Sequence, residues 1–371
     1  MATELSGPIA VYGATGYTGR LVAAEILRRG ANAVLVGRNA AKLEIVAEDL
    51  GGQVQTRVAA LDDAPALRDA LASCAAVISC AGPFSEYGEP VLRAAIESGT
   101  HYLDTTGEQP YIRRVFEEFG PDARAAGVAL LPAMGFDYVP GDMLAAVTAE
   151  PLSALDDLVV AYAVSGFGAT RGTLRSALGV LAGGDVEWRD GEVASAPRGR
   201  GAGTFDFGDP LGRQRVIRLP GGEHVTVPRH VQTQRVRTVL TTATALPFAR
   251  LFGPVVPVVM PALGFFVRTP AKRLVELAIG RLPEGPSPED RRAARFTVVC
   301  DATAGDRRRR GVLTGTDVYG FTARATVEGA IRCAAPAFDG AGALAPSQAF
   351  APEDFLSAVG LEPEVSATAA E

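Results

Sequence analysis

Three glycines near the start of the chain have the spacing of a turn that binds a dinucleotide pyrophosphate. Gly13, Gly16 and Gly19 lie between an apolar run, "IAVYG", and a helical pattern, "YTGRLVAAEILRRG". A strand, a glycine turn and a helix bring backbone N–H groups and the positive end of a helix dipole to one point, where a Cβ would block the phosphates. The sequence therefore predicts dinucleotide binding, with a tight turn that has no ligand as the alternative.

The residues after the second predicted strand indicate which dinucleotide is bound. NAD enzymes usually place a carboxylate there to accept a hydrogen bond from the ribose 2′-hydroxyl, whereas this chain has Gly37, Arg38 and Asn39. The Arg38 guanidinium can bind a 2′-phosphate that a carboxylate would repel, so NADP (NADPH) is favoured, with a solvent-facing Arg38 as the alternative. Asp62 and Asp63, after the third predicted strand, either border the adenine or cap the next helix.

The first 135 residues supply the elements that would position these groups. Near-continuous apolar runs such as "AVLVG" and "AAVISCAG" alternate with helical patterns such as "NAAKLEIVAEDLG" and "GEPVLRAAIESG". Fully apolar strands are typical of a parallel sheet that is covered on both faces. The sequence predicts an α/β, doubly wound parallel sheet with its ligand at the carboxyl ends of the strands.

The pattern changes after Pro140. The segments "DDLVVAYAV", "EWRDGEVAS", "RQRVIRLPGGEHVTVP" and "QRVRTVLTT" predict antiparallel strands, and "TRGTLRSALGVLAGG" predicts a helix between them. Further along, "ARFTVVCDATAGDRRRRGVLTGTDVYG" predicts a strand, a tight turn and a strand, and "FTARATVEGAIRCAA" and "APEDFLSAVG" predict helices. We expect a second, mixed α/β domain with a largely antiparallel sheet, followed by C-terminal helices that pack back on the first domain.

Several segments resemble saccharopine dehydrogenase-like oxidoreductases, in particular the trans-acting enoyl reductase branch. They are "YGATGYTGR", "GRN", "SCAGPFSEYGEPVLRAAIESGTHYLDTTGE", "LLPAMGFDYVPGDM" and the closing "TGTDVYGFTARATVEGAIRCA" and "GALAPSQAF". The resemblance implies a Rossmann-type NADP-binding domain at 1–140, a substrate and dimerisation α/β domain at 141–320, and C-terminal helices at 321–371 that complete the first domain. It also implies NADPH as hydride donor and a homodimer.

The resemblance assigns roles to particular residues. It places the backbone after the fourth strand beside the nicotinamide, and the "LDTTGE" segment beside nicotinamide and substrate, although these segments could be a plain turn and a helix cap. The residues expected to bind the cofactor are Gly13, Thr15, Gly16, Tyr17, Thr18, Gly19, Arg38, Asp62, Ala81, Gly82, Pro83, Phe84, Thr106 and Gly107. The residues expected to bind the substrate are Phe84, Tyr87, Glu108, Phe136 and Arg171.

The catalytic acid is less clearly indicated. Lys42 and Lys272 are the only lysines, so the tyrosine and lysine pair of short-chain dehydrogenases is absent, and carbonyl reduction by that pair is disfavoured. Reduction of a conjugated C=C bond needs a donor to the enolate oxygen and a proton for the α-carbon. Tyr87, Tyr138 and Asp137 are the catalytic candidates, each on a loop that we expect to face the cleft.

Three functions are compatible with these residues. The first is an NADPH-dependent reductase of an activated C=C (enoyl) bond in a specialised or lipid metabolite. The second is a C=N (imine, saccharopine-type) reductase or dehydrogenase, although no clear arginine and acid constellation for an amino-acid substrate is evident. The third is a non-catalytic NADP(H)-binding redox sensor.

Composition bounds these possibilities. The 371 residues are 47% hydrophobic, which suits two domains, and the net charge of −6 with scattered arginines argues against nucleic-acid binding. "MATELSGP" has no features of a signal peptide, so we expect a cytoplasmic protein, and the four cysteines lack metal-ligand spacing, so we expect no metal. The proline-broken apolar segment 251–267 predicts no integral membrane span. It is expected to be buried, with a pocket lid or a peripheral membrane contact as alternatives.

Overall fold

The chain divides into two compact units, neither of which is one continuous stretch. The computed structural model describes residues 5–182, 186–196, 202–245 and 272–368. The first unit comprises Met1–Phe136 and Tyr319–Leu344, and the second comprises Asp137–Val318 and Ala345–Glu371. The sequence predicts boundaries at 140 and 320 and a third segment at 321–371, and the two units divide after Phe136, Val318 and Leu344.

The first unit is built on a seven-stranded parallel sheet. Its strands are β1 (Ile9–Tyr12), β2 (Ala33–Gly37), β3 (Gln55–Val58), β4 (Ala76–Ser79), β5 (His101–Asp104), β6 (Ala129–Leu131) and β15 (Gly342–Ala343). The order across the sheet is β15-β6-β5-β4-β1-β2-β3, and every neighbouring pair is parallel. β1, β2 and β4 are buried along their whole length. The direction of winding reverses between β1 and β4, which is where doubly wound sheets bind their ligands.

Helices accompany the strands of this sheet. They are α1 (Tyr17–Arg28), α2 (Ala40–Asp49), α3 (Ala64–Leu71), α4 (Phe84–Ser98), α5 (Gln109–Arg114), α6 (Gly120–Ala125) and α13 (Val318–Cys333), with a π-helical turn at Val115–Phe119. The Asn39 side chain caps α2, and Asp63 caps α3 by accepting a 3.0 Å hydrogen bond from the Ala66 amide. α4 ends at Gly99, which adopts a left-handed conformation with φ of 70°.

The C-terminal helix α13 makes several contacts within the first unit. The Thr326 hydroxyl donates to the Met134 carbonyl at 2.8 Å, and Glu328 forms an ion pair with Arg29 near the end of α1. The Phe136 amide donates to the Thr322 hydroxyl at 3.1 Å. These contacts tie the segment after β6 to the returning helix.

The second unit is built on a nine-stranded mixed sheet. Its strands are β7 (Asp157–Ser165), β8 (Val186–Arg189), β9 (Glu192–Ser195), β10 (Ala202–Asp206), β11 (Arg213–Arg218), β12 (Arg235–Thr241), β13 (Arg295–Ala304), β14 (Arg307–Thr316) and β16 (Glu364–Thr368). The main order is β10-β11-β12-β7-β13-β14-β16, with β8 paired to β12 and to β9. Only β7 and β12 pair in parallel, so the sheet formed by the described strands is largely antiparallel, as predicted.

Short helices and one buried helix complete the second unit. They are α7 (Val139–Ala149), α8 (Arg171–Ala182), α9 (Glu223–Thr226), α10 (Thr242–Ala245), α11 (Lys272–Arg281), α12 (Pro288–Ala293), α14 (Pro346–Ala349) and α15 (Pro352–Ala358), with a 3₁₀ turn at Val227–Arg229. α7 is buried over most of its length and packs on β13 and β14. At Gly311 a Cβ would lie 2.2 Å from the Thr148 hydroxyl, so the absence of a side chain there permits this close packing.

Two expectations about this part of the chain are corrected. The segment "GGEHVTVP" was expected to be a strand, but Glu223–Thr226 is helical and the next three residues form a 3₁₀ turn. Residues 345–371 do not join the first unit, because β16 pairs with β14 and extends the second sheet. The apolar segment 251–267 lies outside the described residues. Within the ranges that are described, no helix is long and apolar enough to cross a membrane.

Candidate dinucleotide and reaction site

The glycine turn after β1 leaves its backbone open at one position. Gly16 precedes α1 with an extended backbone (φ −82°, ψ 166°), is exposed, and no side chain caps the helix there. The atom nearest to a Cβ added at Gly16 is the Gly13 carbonyl oxygen at 3.4 Å, so the protein itself would accept a side chain. The space that a side chain would fill is the space in front of the uncapped N-terminus of α1, which suits an anionic group.

Gly19 and Gly13 have different roles in the same turn. A Cβ on Gly19 would lie 2.3 Å from the Gly13 carbonyl oxygen and 2.8 Å from the Ala14 Cα, so only glycine lets α1 approach the strand. Gly13 adopts a positive φ of 78°, and a Cβ there would contact the Ala81 amide at 3.1 Å. The turn after β1 therefore lies against the loop after β4, as a dinucleotide crossing this edge requires.

Arg38 is exposed directly after β2, and Asp62 is exposed four residues after the end of β3. Burial raises the pKa of the Tyr12 phenol, the Arg38 charge lowers it and the Asp62 charge raises it, so both charged groups lie near the end of β1. Among the described side chains, none forms a hydrogen bond or ion pair with the Arg38 guanidinium. Asp63 is the helix cap, which leaves Asp62 as the acid able to border an adenine.

The loop after β4 is fixed from behind by Glu108. Both oxygens of this carboxylate accept backbone hydrogen bonds, from the Phe84 amide at 2.7 Å and from the Ser85 amide at 2.9 Å. Glu108 is only 2% exposed, and the Phe84 ring is buried 5.8 Å from the Tyr111 ring. Glu108 thus caps α4, and Phe84 offers mainly its backbone to a ligand, whereas Ala81 and Gly82 in the same loop are half-buried.

Asp104 connects the loops after β5 and β6. Its Oδ1 accepts hydrogen bonds from the amides of Thr106 and Ala133, both at 2.9 Å, and its carbonyl accepts one from the Met134 amide. Ala133 has a positive φ of 62°, a conformation that non-glycine residues rarely adopt. Burial raises the pKa of Asp104 to about 7. Thr106 is buried in this junction and its hydroxyl accepts from the Glu108 amide, while Gly107 is half-buried.

The three catalytic candidates have different surroundings. Tyr87 lies in the first turn of α4 and is 44% exposed. Tyr138 is buried at the start of α7, in the second unit. Asp137 beside it is solvent-accessible, yet protein surrounds it closely enough that desolvation raises its pKa to about 6. Asp137 and Tyr138 therefore belong to the second unit, whereas Tyr87 belongs to the first.

Two predicted substrate residues are engaged within their own units. The Phe136 ring is 7% exposed and packs edge-on against Phe321 at 6.2 Å. Arg171 begins α8, and its Nε donates a hydrogen bond to the Leu282 carbonyl at 2.5 Å. Each retains only part of its side chain for a ligand.

Sequence reasoning missed a group of buried polar residues in the second unit. Tyr162 donates a 2.5 Å hydrogen bond to Glu223, and both residues are buried. Asp142, also buried, accepts from the Ser347 hydroxyl at 2.7 Å and lies 2.9 Å from His230 Nε2. Burial would raise the pKa of Asp142, but His230 and the hydrogen bonds outweigh it and the pKa is lowered. The available signal was an acid, Glu223, between two glycines and a histidine.

The residues at the carboxyl edge of the first sheet fit NADP(H). Gly16 and the first turn of α1, which no side chain at the N-cap covers, would hold the pyrophosphate, and the exposed Arg38 guanidinium would hold the 2′-phosphate. When bound, the cofactor supplies hydride from its nicotinamide ring. The backbone of Ala81 and Gly82 would also contact the cofactor.

Comparison with known proteins identifies the first unit. The family described as "Saccharopine dehydrogenase NADP binding domain" matches residues 9–131. The first unit is thus an NADP-binding domain of the saccharopine dehydrogenase type, its cofactor is NADP(H), and the predictions of family and cofactor are confirmed.

Two curated relatives are similar to part of this chain. A Mycobacterium tuberculosis protein provisionally named trans-acting enoyl reductase is 36% identical over 147 residues, which are 38% of this chain and 35% of the relative. A trans-acting enoyl reductase from Mycobacterium ulcerans is 34% identical over 140 residues, 36% of this chain and 34% of the relative. The matches thus span about a third of each relative.

The fold is shared over nearly the whole chain. Apo saccharopine dehydrogenase (L-Glu forming) from Saccharomyces cerevisiae aligns with 98% of this chain and 100% of its own, with a TM-score of 0.59 and 14% identity. An identity this low shows the fold alone. The predicted fold class, a doubly wound sheet with a second mixed domain, is confirmed.

Proposed function

We propose that this protein uses NADPH to reduce an activated C=C (enoyl) bond in a specialised or lipid metabolite. The observation that carries the proposal is the 34–36% identity to proteins named trans-acting enoyl reductase, over a stretch about the length of the dinucleotide-binding part of the chain. The confirmed NADP(H) cofactor restricts the reaction to hydride transfer.

The chain's lysine content supports the choice of bond. With Lys42 and Lys272 as the only lysines, no Tyr is followed four residues later by Lys. A carbonyl reductase of the short-chain type needs that lysine-assisted tyrosine to protonate the forming alkoxide. Conjugate reduction instead forms an enolate, whose oxygen needs a hydrogen-bond donor and whose α-carbon needs a proton.

The accessible candidates suit these two tasks. The Tyr87 hydroxyl, on an exposed side chain beside the cofactor loop, is our proposed donor to the enolate oxygen. Asp137, accessible and with a raised pKa, is our proposed donor to the α-carbon. Glu108 and Phe84 act mainly by fixing the loop that lies beside the nicotinamide. Phe136 and Arg171 contribute to the substrate site through their accessible parts.

The test is turnover with a stereospecifically deuterated NADPH. Purified protein is given an α,β-unsaturated acyl thioester, and the corresponding 3-oxoacyl thioester is the matched control. We expect NADPH oxidation with the first only, and deuterium on the former alkene carbon. Deuterium on a carbinol carbon would contradict the proposal, deuterium on a former imine carbon with an added imine would favour the saccharopine-type reaction, and tight NADPH binding without turnover of any acceptor would favour a redox sensor.

The expected assembly and location belong to the same proposal. We propose that the second unit carries the substrate and the contact of a homodimer. Sedimentation of the purified protein measures directly whether a dimer forms. A cytoplasmic location also stays a prediction.

A further inference from the structure

Hydrogen bonds join the loops that follow β4, β5 and β6 at the carboxyl edge of the first sheet. Asp104, the last residue of β5, accepts at Oδ1 from the amides of Thr106 and Ala133, both at 2.9 Å. Its carbonyl accepts from the Met134 amide at 2.8 Å. Because Thr106 follows β5, whereas Ala133 and Met134 follow β6, one residue ties these two loops together.

The connection continues to the loop after β4. The Thr106 hydroxyl accepts a hydrogen bond of 3.1 Å from the Glu108 amide. The Glu108 carboxylate in turn accepts from the amides of Phe84 and Ser85, at 2.7 and 2.9 Å. We call this series of hydrogen bonds, which runs from Ala133 to Ser85, the loop network. It makes the three loops one connected structure.

The side chains of the loop network are enclosed by protein. Asp104 is 0% exposed, and Thr106 and Glu108 are 1% and 2% exposed. Side chains enclosed to this degree do not reach a bound cofactor or substrate, so they act by holding other residues in place. Buried amides that lose their acceptor are unfavourable, so removal of Asp104 Oδ1 or of the Thr106 hydroxyl would favour a rearrangement of the loops.

The backbone at Ala133 supports a positioning role. Its φ of 62° lies in the left-handed region, which is unfavourable for a residue with a side chain. Such a conformation persists only where its surroundings fix it, and it is most frequent at ligand sites. Asp104 fixes it at the Ala133 amide, and the Thr326 hydroxyl of α13 donates to the next carbonyl, that of Met134, at 2.8 Å. The segment after β6 is thus held from two sides.

The place of the loop network in the sheet indicates which part of NADP(H) it serves. Arg38, which would hold the 2′-phosphate, follows β2, on one side of β1. β4, β5 and β6 follow in this order on the other side of β1. A dinucleotide crosses a doubly wound sheet where the winding reverses, with one mononucleotide half on each side. With the adenosine half on the β2 side, the nicotinamide half belongs to the loops that the network joins.

We propose that Asp104 and Thr106 are positioning residues for the nicotinamide half of NADP(H). They hold the loops after β4, β5 and β6 in the arrangement to which this half binds, and they act through acceptor oxygens rather than through a charge or a proton. The proposal concerns cofactor binding alone, so it does not depend on which bond the protein reduces.

The test measures two ligands on two variants. Asp104→Ala removes the acceptor of two buried amides, and Thr106→Val replaces the hydroxyl with a methyl group of similar size. We expect each variant to bind NADPH about tenfold more weakly, because its loops are no longer held ready for the ligand. Adenosine 2′,5′-bisphosphate, which has no nicotinamide half, should bind as it does to wild type. Fluorescence titration measures NADPH, and calorimetry measures the bisphosphate.

Control variants separate positioning from general loss of stability. Thr100→Val is the matched control, because the buried Thr100 hydroxyl donates to the Leu71 carbonyl at the amino end of β5, away from the loops. It should bind both ligands as wild type does. Asp104→Asn and Thr106→Ser keep an acceptor oxygen and should bind NADPH within about threefold of wild type.

Three results would overturn the proposal. Equal losses of affinity for NADPH and for the bisphosphate would show general damage to the unit. Wild-type affinity for NADPH in Thr106→Val would show that the loops keep their arrangement without the network, and this variant decides the point even where Asp104→Ala does not fold. Weak NADPH binding in Asp104→Asn and in Thr106→Ser would show that the acceptor oxygens are not what matters.

Discussion

In the first unit the groups available to a ligand lie at the surface, at the carboxyl edge of a parallel sheet, where Gly16 and Arg38 are exposed. In the second unit two polar pairs lie largely inside the protein: the buried Tyr162 and Glu223, and the buried Asp142 with the partly buried His230. Exposed groups can be changed with little effect on folding, whereas buried ones couple protonation to stability. The exposed residues of the first unit are thus available to bind a ligand, whereas the buried residues of the second unit determine which interior groups carry a proton.

The largest effect is expected in the glycine turn. Gly16→Val should abolish NADPH binding and leave the fold intact, because a Cβ at this position meets no protein atom closer than 3.4 Å, while the side chain enters the space of the pyrophosphate. Gly19→Val is the matched control and should prevent normal folding, since its Cβ would lie 2.3 Å from a backbone oxygen. Circular dichroism and a fluorescence titration on the same samples test both. Binding retained by Gly16→Val would place the cofactor elsewhere.

The second prediction concerns the buried acid of the second unit. The pKa of Glu223, raised to about 8 from 4.5, means that the folded protein keeps a proton that the unfolded chain releases. Its contribution to stability is therefore complete below pH 4.5 and is lost as the pH rises towards 8, by up to about 1.4 kcal/mol per pH unit. Glu223→Gln should flatten this dependence. Urea unfolding at several pH values measures it, and parallel curves for the two proteins would disprove a neutral Glu223.

Arg38→Ala tests whether the exposed edge of the first sheet selects NADPH over NADH. Loss of a charged hydrogen bond to the 2′-phosphate should weaken NADPH binding by about 1.5 to 3 kcal/mol, roughly ten- to a hundredfold. NADH lacks that phosphate, so its affinity should not change. Titration of both cofactors against both proteins decides the point, and equal losses for the two cofactors would show that Arg38 acts on something other than the phosphate.

The smallest effect is expected at Tyr87. If its hydroxyl donates to the enolate oxygen, Tyr87→Phe should lower the rate of enoyl reduction by about tenfold without changing NADPH affinity. Tyr138→Phe is the matched control, because that tyrosine is only 3% exposed. Steady-state rates with the enoyl thioester compare the two. A larger loss in Tyr138→Phe than in Tyr87→Phe would reverse the assignment.

The sequence predicts the first unit well because its signals are local. Parallel strands buried on both faces are apolar throughout, and the glycine spacing follows from the close approach that Gly19 permits. The sequence does not decide whether Asp62 or Asp63 caps the next helix, because this depends on the residue at which the helix begins. The structure shows that Asp63 is the cap. Glu108 was assigned to the substrate, and its two backbone hydrogen bonds come from residues 23 and 24 positions away.

In the second unit the decisive contacts are distant in the sequence. β16 pairs with β14 across 52 to 60 residues of sequence, so the helical pattern nearby gave no sign that this strand joins the second sheet. Glu223 and Tyr162 are 61 residues apart. Neither stands in a motif, and the alternating pattern around Glu223 favoured a strand. Burial of an acid becomes evident only when the surrounding elements are placed.

The chain crosses from one unit to the other three times, and this has a consequence for its synthesis on the ribosome. Residues up to Phe136 emerge from the ribosome first, but β15 and most of α13 come only after Val318. At 5–20 residues per second, this leaves the first sheet without its last strand for roughly ten to forty seconds. During that interval β6 is an unpaired edge, the kind of surface that joins other chains. We therefore expect nascent chains, rather than the finished protein, to be the species that needs a chaperone.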